Sequence, residues 1–187
     1  MKLSLKHVVY LISIFALFIL LNSPFFWKMM YPIQFESEVK DAADYFEVSP
    51  YLVLAVMQTE SRFNHDRLSK KGATGLMQLM PETAKWANKE SGLHKDPNSY
   101  IDDPKSNILL GSWYLSYLIN KYDQDELKAI VAYNAGQGHV DRWIESGIWD
   151  GTEYRIDQIP FGETRHYVAR VLYFKKRYEE IYRDQFN

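Results

Sequence analysis

The sequence predicts a mainly α-helical domain at residues 31–187, preceded by one apolar segment at residues 1–30. Three observations support this prediction. Apolar residues recur at helical spacing along most of the body, residues typical of helix starts separate these stretches, and no stretch alternates long enough for a full sheet. The seven prolines and nine glycines are scattered along the chain instead of clustering as a linker, so a single domain is expected.

The N-terminal segment is uncharged and apolar from Val8 to Leu21, and Lys2 and Lys6 precede this run. Counted on through Trp27, it is about long enough to span a bilayer with an aromatic residue at the interface. A cleaved signal peptide would also explain the basic start, but no A-x-A-like pair of small residues follows the run. The sequence therefore favours an uncleaved, single-pass anchor in the cell membrane. In either case the lysines stay in the cytoplasm, so the body is expected to be extracytoplasmic.

Composition narrows the classes of function. The chain has no cysteine, which excludes disulfides, thiol catalysis and Cys-ligated zinc. None of the five histidines has metal-like spacing to a second ligand, so neither a metal nor another cofactor is expected. The formal net charge is −2, and without the three lysines of the first thirty residues 19 basic residues remain against 24 acidic ones. Such a body is not expected to bind nucleic acid.

Two helices are predicted at the start of the body. Four apolar residues at helical spacing indicate a short amphipathic helix that ends near Val48: Phe35, Val39, Ala42 and Phe46. Ser49 offers a cap, and Pro50 suits the first position of a helix that runs to about Arg62. This second helix is apolar nearly all round, so it should be buried at the centre of the domain, with Glu60 near its C-terminal end.

The rest of the chain continues the helical pattern. Residues 64–81 are rich in Gly, Ser and Lys and indicate a loop or a small β-hairpin. Proline and capping signals predict helices over about 81–91, 103–122 and 125–136. A stretch with Gly, Trp and Tyr at 147–160 breaks the pattern. The last helix is predicted over 163–183, with four inward side chains: Val168, Val171, Leu172 and Tyr182.

Glu60 is the first candidate catalytic residue. It follows a run of Leu, Val, Ala and Met at the end of a buried helix, so desolvation and the negative end of the helix dipole both raise its pKa. A carboxylic acid that stays protonated near neutral pH can give a proton to the leaving oxygen of a glycosidic bond. The alternative is a solvent-facing Glu60 that pairs with Arg62 or Lys70, since perturbed carboxylates also occur in structural ion pairs.

Four stretches add a pattern of a different kind. They are ESRF at 60–63, SKKGATGLMQLMP at 69–81, AYNAG at 132–136 and PFGETRHYV at 160–168. Together, and in this order, they closely resemble the catalytic domain of lytic transglycosylases of the soluble type, over about residues 35–182. The resemblance implies a lysozyme-like α+β fold and an enzyme that cuts the glycan strands of peptidoglycan.

The resemblance also implies a role for each matching residue. Glu60 would be the single acid and base, without a second catalytic carboxylate, at the bond between N-acetylmuramic acid and N-acetylglucosamine. Ser69, Gln78 and Met80 would line the sugar subsites with a hydroxyl, an amide and a thioether. Without the motif, these three would be interpreted as a turn serine, a loop glutamine and a core methionine.

The two later motifs supply the remaining candidates for substrate binding. Tyr133 and Asn134 close a helix where Gly136 can adopt the left-handed cap. By resemblance, the Tyr133 hydroxyl would orient the muramyl N-acetyl group, whose carbonyl would attack C1 in place of an enzyme nucleophile. Glu163 would support the site by hydrogen bonding, and Tyr167, one turn later, belongs to the same cluster.

The product implied by the resemblance is a 1,6-anhydromuramyl end, with peptidoglycan strands and the membrane as partners. Two alternatives remain open. A hydrolytic muramidase of the same fold would need a positioned water or a further carboxylate. A non-catalytic module that binds the cell wall would have no use for a buried acid.

Overall fold

Nine α-helices and one 3-10 helix account for most of residues 4–93 and 103–186, which are the residues that the computed structural model describes. The α-helices are α1 (Leu5–Leu21), α2 (Pro24–Met30), α3 (Glu36–Phe46), α4 (Pro50–Glu60), α5 (Pro81–Glu90), α6 (Pro104–Lys121), α7 (Glu126–Ala135), α8 (Gln137–Glu145) and α9 (Gly162–Tyr182). The 3-10 helix, Glu153–Gln158, lies in the stretch where the sequence pattern breaks. The mainly α fold is confirmed, and α8 is an addition, because no helix was predicted over its residues.

Aspartates cap two of the helices as the sequence predicts. At the start of α6, Asp103 accepts hydrogen bonds from the backbone N–H groups of Lys105 and Ser106 at 3.3 and 3.0 Å. Asp125 accepts one from Lys128 at 3.1 Å at the start of α7. These carboxylates satisfy N–H groups that have no partner inside the helix, and their charge suits the positive end of the helix dipole.

Helix α4 forms the centre of the domain. Every residue of Leu52–Met57 is buried, and α3 and α9 pack against this helix. The predicted serine cap is wrong, because the Ser49 hydroxyl makes no capping hydrogen bond to α4. Pro50 begins the helix without it, since its missing N–H costs nothing at a first helical position. Packing on several sides therefore holds α4, and with it Glu60 at its last position.

The segment between α4 and α5 is a loop with very little β-structure. Two isolated bridges join Leu68 to Thr74 and Thr74 to Leu79. No named strand forms within the described ranges, so the small hairpin considered from the sequence is reduced to these bridges. The backbone N–H of Leu79 donates to the Thr74 carbonyl at 3.1 Å, and the reverse bond is 3.0 Å long.

A buried asparagine on α6 holds this loop in place. The Asn107 side chain accepts a hydrogen bond from the Met77 N–H at 2.8 Å and donates one to the Thr74 carbonyl at 3.1 Å. Gly75 lies directly against it, and an added Cβ there would clash with the Asn107 amide. Gly75 also has a φ of +79°. A larger residue at this position would therefore clash with Asn107 and also adopt a strained backbone conformation.

The first two helices form a bent pair. Helices α1 and α2 are inclined by 62° across a break at Asn22 and Ser23, so the continuous helix expected through Trp27 is interrupted. Among the residues described, no single helix has both the length and the hydropathy to cross a membrane, whereas the bent pair passes on length and composition alone. Helix α1 has no buried residue. Lys2, one of the two flanking lysines, lies outside the described residues.

Helix α2 and the residues after it pack against α9. The Arg177 guanidinium lies over the Trp27 ring, 4.3 Å from its centroid. The Tyr182 hydroxyl donates to the Tyr31 carbonyl at 2.8 Å, and the hydroxyls of Tyr31 and Tyr173 are 2.7 Å apart. These polar and cation–π contacts attach the end of the N-terminal segment to the domain.

Candidate active site

Glu60 lies on an open cleft of about 380 Å³ at the end of α4. Six more of the residues selected from the sequence line the same cleft: Ser69, Gln78, Met80, Tyr133, Asn134 and Glu163. Tyr167 does not line it, but is buried beside Glu60 and interacts with that carboxyl. The fold therefore brings together residues that are separated by more than one hundred positions in the chain.

The cleft makes Glu60 an unusually weak acid. Burial raises the pKa of its carboxyl from the ordinary value of 4.5 to about 7, and the charge of Glu163 adds to the rise. The Tyr167 hydroxyl and the positive charges of Arg67 and Arg170 act in the opposite direction. The carboxyl therefore keeps its proton to a much higher pH than an ordinary glutamate does, and the protonated form is the one that a general acid requires.

Glu60 has no cationic partner within 4 Å anywhere in the part of the chain that the structure describes. The alternative of an ion pair with Arg62 or Lys70 is thus wrong. Desolvation is the largest influence on the carboxyl, and a carboxyl that loses water without gaining a counter-ion favours its neutral form.

The backbone around Glu60 is fixed at both sides. Arg170 on α9 donates a hydrogen bond from Nη2 to the Thr59 carbonyl at 2.9 Å, which satisfies a carbonyl at the end of α4. Directly after the helix, Arg62 and Phe63 adopt left-handed conformations, with φ of 55° and 61°. Two consecutive non-glycine residues with positive φ are uncommon, and they turn the chain sharply away from α4.

Two tyrosines flank the carboxyl, Tyr167 buried and Tyr133 half-buried, and both remain neutral. Burial raises the pKa of Tyr133 and of Tyr167 well above the ordinary value, and the charge of Glu60 adds to this. The Tyr133 hydroxyl donates to the Met77 carbonyl at 2.9 Å, so its oxygen keeps lone pairs that can accept. The Tyr167 hydroxyl makes no well-formed hydrogen bond to any described residue, and the Glu60 carboxyl is the acceptor that it approaches.

Ser69 and Gln78 use part of their hydrogen-bonding capacity to stabilise the loop itself. The Gln78 side-chain NH₂ donates to two backbone carbonyls, both at 2.9 Å, which leaves its carbonyl oxygen for the cleft. The Ser69 hydroxyl accepts from the Ala73 N–H at 2.9 Å, and its own proton can still be donated. Met80 is exposed and is the residue directly before α5. The core position that Met80 would occupy without the motif is therefore wrong.

The last two cleft residues lie where α7 ends and α9 begins. The Thr164 hydroxyl donates to Asn134 Oδ1 at 2.7 Å, so Asn134 ties the two helices together and keeps its NH₂ group for other contacts. Glu163 is exposed in the first turn of α9. The hydrogen bond expected of Glu163 is not formed to any residue of the described ranges, and its effect on Glu60 is electrostatic.

Sequence reasoning did not select several residues that shape this site. Arg67, Lys70, Lys71 and Ala73 complete the lining of the cleft, and Asn107 fixes the loop from beneath. The lysines stand directly beside Ser69 in the second motif, which is a signal that could have been used.

A helical domain with a largely desolvated carboxylic acid on an open cleft is typical of an enzyme that uses a general acid. Residues 37–155 match the family model described as Transglycosylase SLT domain, and the chain belongs to this family. Its fold is the mainly α, lysozyme-like fold of that family, as solved structures of relatives also show.

Curated relatives and solved structures support the assignment. The chain is similar to the soluble lytic murein transglycosylase of Escherichia coli (strain K12), with 31% identity over 159 residues, 83% of this chain and 24% of the relative. It is also similar to the membrane-bound lytic murein transglycosylase C of Serratia proteamaculans (strain 568), with 33% identity over 168 residues, 75% of this chain and 45% of the relative. It therefore spans about a quarter of the soluble relatives and under half of the membrane-bound one.

Two solved structures agree closely in shape. The lytic transglycosylase Slt of Pseudomonas aeruginosa, solved as an inactive mutant, superposes with a TM-score of 0.72 at 32% identity, over 82% of this chain and 25% of that one. The 70-kDa soluble lytic transglycosylase of Escherichia coli gives a TM-score of 0.77 at 29% identity, over 86% of this chain and 26% of that one.

Proposed function

We propose that this chain is a peptidoglycan lytic transglycosylase. It cleaves the β-1,4 bond between N-acetylmuramic acid and N-acetylglucosamine and leaves a 1,6-anhydromuramyl end. The observation that carries the proposal is the Glu60 carboxyl, whose pKa is raised to about 7 on an open cleft, in a chain of the SLT family. The names of the curated relatives support the substrate, since murein is peptidoglycan.

The first step uses Glu60 as an acid. Its proton passes to the oxygen that links C1 of N-acetylmuramic acid to C4 of N-acetylglucosamine, and the bond from C1 to this oxygen breaks with its electron pair on the oxygen. A carboxyl with an ordinary pKa of 4.5 would be almost fully ionised at neutral pH, whereas one with a pKa of about 7 still holds its proton in a substantial share of the molecules.

Tyr133 orients the group that attacks C1. Because its own proton is donated to the Met77 carbonyl, the Tyr133 oxygen accepts the N–H of the muramyl acetamido group. That contact turns the acetamido carbonyl oxygen towards C1, where it forms the new bond as the leaving oxygen departs. An internal nucleophile held in this way has a high effective concentration, and no enzyme carboxylate has to form a covalent bond.

The second step uses the same carboxyl as a base. Glu60, now ionised, takes the proton of the muramyl C6 hydroxyl, and O6 bonds to C1 while the bond from C1 to the acetamido oxygen breaks. Glu60 returns to its protonated form, and no water is consumed. A pKa of about 7 serves both steps, since the group must give a proton and then take one at the same pH.

A hydrolytic muramidase is the second candidate, because one observation favours it. Glu163 is a further carboxylate on the same cleft, close enough to raise the pKa of Glu60. A carboxylate in this position is the group that could activate a water for attack on C1. The lytic reaction remains the proposal, since Tyr133 offers an acceptor for the acetamido group and the matching relatives are named lytic transglycosylases.

The N-terminal segment supports a location at the membrane. Helix α1 exposes large apolar side chains along its whole length, with no buried residue, and such a surface is unfavourable in water. We place this segment in the cell membrane as a single-pass anchor, with the catalytic domain, residues 31–187, outside the cytoplasm. The membrane-bound relative agrees with this location by its name.

A single substitution tests the proposed activity. The wild-type chain should release soluble glycan fragments from purified sacculi, whereas Glu60→Gln should fold and release none, because an amide cannot donate a proton at neutral pH. Glu82→Gln is the matched control, since Glu82 is exposed at the start of α5 and does not line the cleft. Full release by the Glu60→Gln variant would rule out Glu60 as the acid.

A further inference from the structure

One side of the cleft carries a patch of positive charge that the proposed chemistry does not use. We call it the basic rim, formed by Arg67, Lys70 and Lys71, all three of which are exposed and line the cleft. None of the three forms an ion pair within the described ranges. Exposed cations without counter-ions beside a binding cleft are available to an anionic ligand.

The lysines of the rim are presented by a tight, well-bonded turn. The Ser69 N–H donates to the Ala73 carbonyl at 2.8 Å, and the Ala73 N–H donates back to the Ser69 hydroxyl at 2.9 Å. Gly72 closes the turn with a φ of +90°, a conformation that glycine adopts without strain. The turn therefore holds the backbone of Lys70 and Lys71 at the cleft, and both side chains are exposed to solvent.

Cations elsewhere in the domain differ in whether they have a counter-ion, and exposed Lys85, like the basic rim, has none among the described residues. Several exposed or half-buried lysines elsewhere are paired with carboxylates, including Lys40 with Asp44 at 3.2 Å and Lys121 with Asp141 at 3.0 Å. Beyond the first thirty residues the chain has 19 basic residues against 24 acidic ones. What distinguishes the basic rim is that its three unpaired cations all line the cleft.

We propose that the basic rim binds carboxylates of the peptide stems that a glycan strand carries. This inference rests on the proposed function. The floor of the cleft, at Glu60 and Tyr133, is where the muramyl ring must lie for the reaction. The rim lies at the exposed edge, so its ligand must extend from the sugar towards solvent, as a peptide stem does and a sugar hydroxyl does not.

The chemistry of the polymer allows a clean comparison. In a strand with stems, the lactyl carboxyl of N-acetylmuramic acid forms an amide bond with the peptide, and the free carboxylates lie along the peptide. When an amidase removes the stems, the lactyl carboxylate is freed directly on the sugar. Both substrates are anionic, so a difference between them reports the position of the carboxylate and not merely its charge.

Binding is measured by titration calorimetry with full-length protein in the Glu60→Gln background, where no cleavage disturbs the titration. The ligands are soluble glycan fragments with and without stems. Adding Lys70→Gln and Lys71→Gln together should raise the Kd for fragments with stems about fivefold or more, since each exposed ion pair contributes about two- to fivefold. The Kd for stripped fragments should change less than twofold, and added salt should reduce the difference.

Lys85→Gln is the matched control, because Lys85 is an exposed lysine on α5 that does not line the cleft. An unchanged Kd for fragments with stems in the double lysine variant would overturn the inference. An equal rise in the Kd for stripped fragments would also overturn it, because the rim would then bind the lactyl carboxylate. Since binding is measured without catalysis, a failure of the rim and a failure of the proposed cleavage are distinguishable.

Discussion

At the scale of single residues, the burial that makes Glu60 an acid also reduces the stability of the protein. The carboxyl has a pKa of about 7 in the folded protein and 4.5 as an ordinary, solvated group. Between these two values the unfolded chain releases its proton more readily than the folded protein does. Stability is therefore highest below pH 4.5, as far as this group is concerned, and decreases as the pH rises towards 7.

The Glu60→Gln variant should show this effect without any substrate. Its free energy of unfolding should equal that of the wild type at pH 4 and exceed it by about 2 kcal/mol at pH 8, a value reduced from full linkage because the group is partly exposed. Urea unfolding at several pH values measures this difference. Glu82→Gln removes an exposed carboxylate and should give no such gain. A Glu60→Gln variant as stable as the wild type at pH 8 would show that the acid is not desolvated.

Tyr133 should affect the rate more than the binding of substrate. Tyr133→Phe removes the oxygen that we propose accepts the acetamido N–H, so kcat should fall about tenfold or more while KM changes little. It also removes the bond to the Met77 carbonyl, at a cost of about 1 kcal/mol in unfolding free energy. Tyr117→Phe, in the adjoining aromatic cluster and away from the cleft, should leave kcat intact. A rise in KM alone would place Tyr133 in substrate binding only.

The sequence predicted the environment of residues that is determined by their neighbours in the chain. Glu60 lies in one helix with the apolar run Leu52–Met57, so its desolvation could be expected from neighbouring positions. The roles of Gln78 and Asn107 could not, because their hydrogen bonds join residues that are far apart in the chain or in a loop of irregular backbone. The free state of the Lys70 and Lys71 side chains likewise depends on which carboxylates the fold brings near.

At the scale of helices, the sequence predicted where helices begin better than whether a new helix follows directly after another. The caps at Asp103 and Asp125 are confirmed because each rests on a few adjacent residues. Helix α8 escaped prediction because it follows α7 across the single residue Gly136, where a glycine cap signals an end and not a new start. The hairpin was not formed as strands, since Asn107 and short turns organise that loop instead.

The bend between α1 and α2 has an identifiable cause. Pro24 is the first residue of α2 and the Ser23 hydroxyl accepts from the Phe25 N–H at 3.2 Å, so the chain starts a new helix there instead of continuing α1. Helix α2 then packs on α9 through Trp27 and Arg177. A membrane segment at α1 would consequently lead directly into contacts with the catalytic domain, without a long flexible linker.

Single cysteines can test the orientation of α1, because the chain has none of its own. With α1 across the membrane and its lysine-flanked end in the cytoplasm, a membrane-impermeant maleimide should label Ser37→Cys in intact spheroplasts. Ser4→Cys should be labelled only after detergent is added. Both serines are exposed, so lysed cells serve as the control for reactivity. Labelling of Ser4→Cys in intact spheroplasts would contradict the proposed orientation.

At the scale of the whole molecule, the chain combines a domain of the SLT family with an apolar N-terminal helix. It spans about a quarter of the soluble relatives that it matches. The family and the mainly α fold could be predicted from four short motifs, because each motif combines catalytic and turn residues at fixed spacing. The distribution of charge could not, since net composition predicts an acidic body and only the fold gathers three cations at the cleft.

The central claim is that Glu60 drives a cut in which no water is consumed. Mass spectrometry of fragments released from purified sacculi tests it most directly. A lytic cut gives anhydromuramyl ends that are lighter than reducing ends by one water molecule, and borohydride does not reduce them because the anhydro ring has no free aldehyde. A digest dominated by reducible muramic acid ends would contradict the claim, since water would then have reached C1 and the enzyme would be a muramidase.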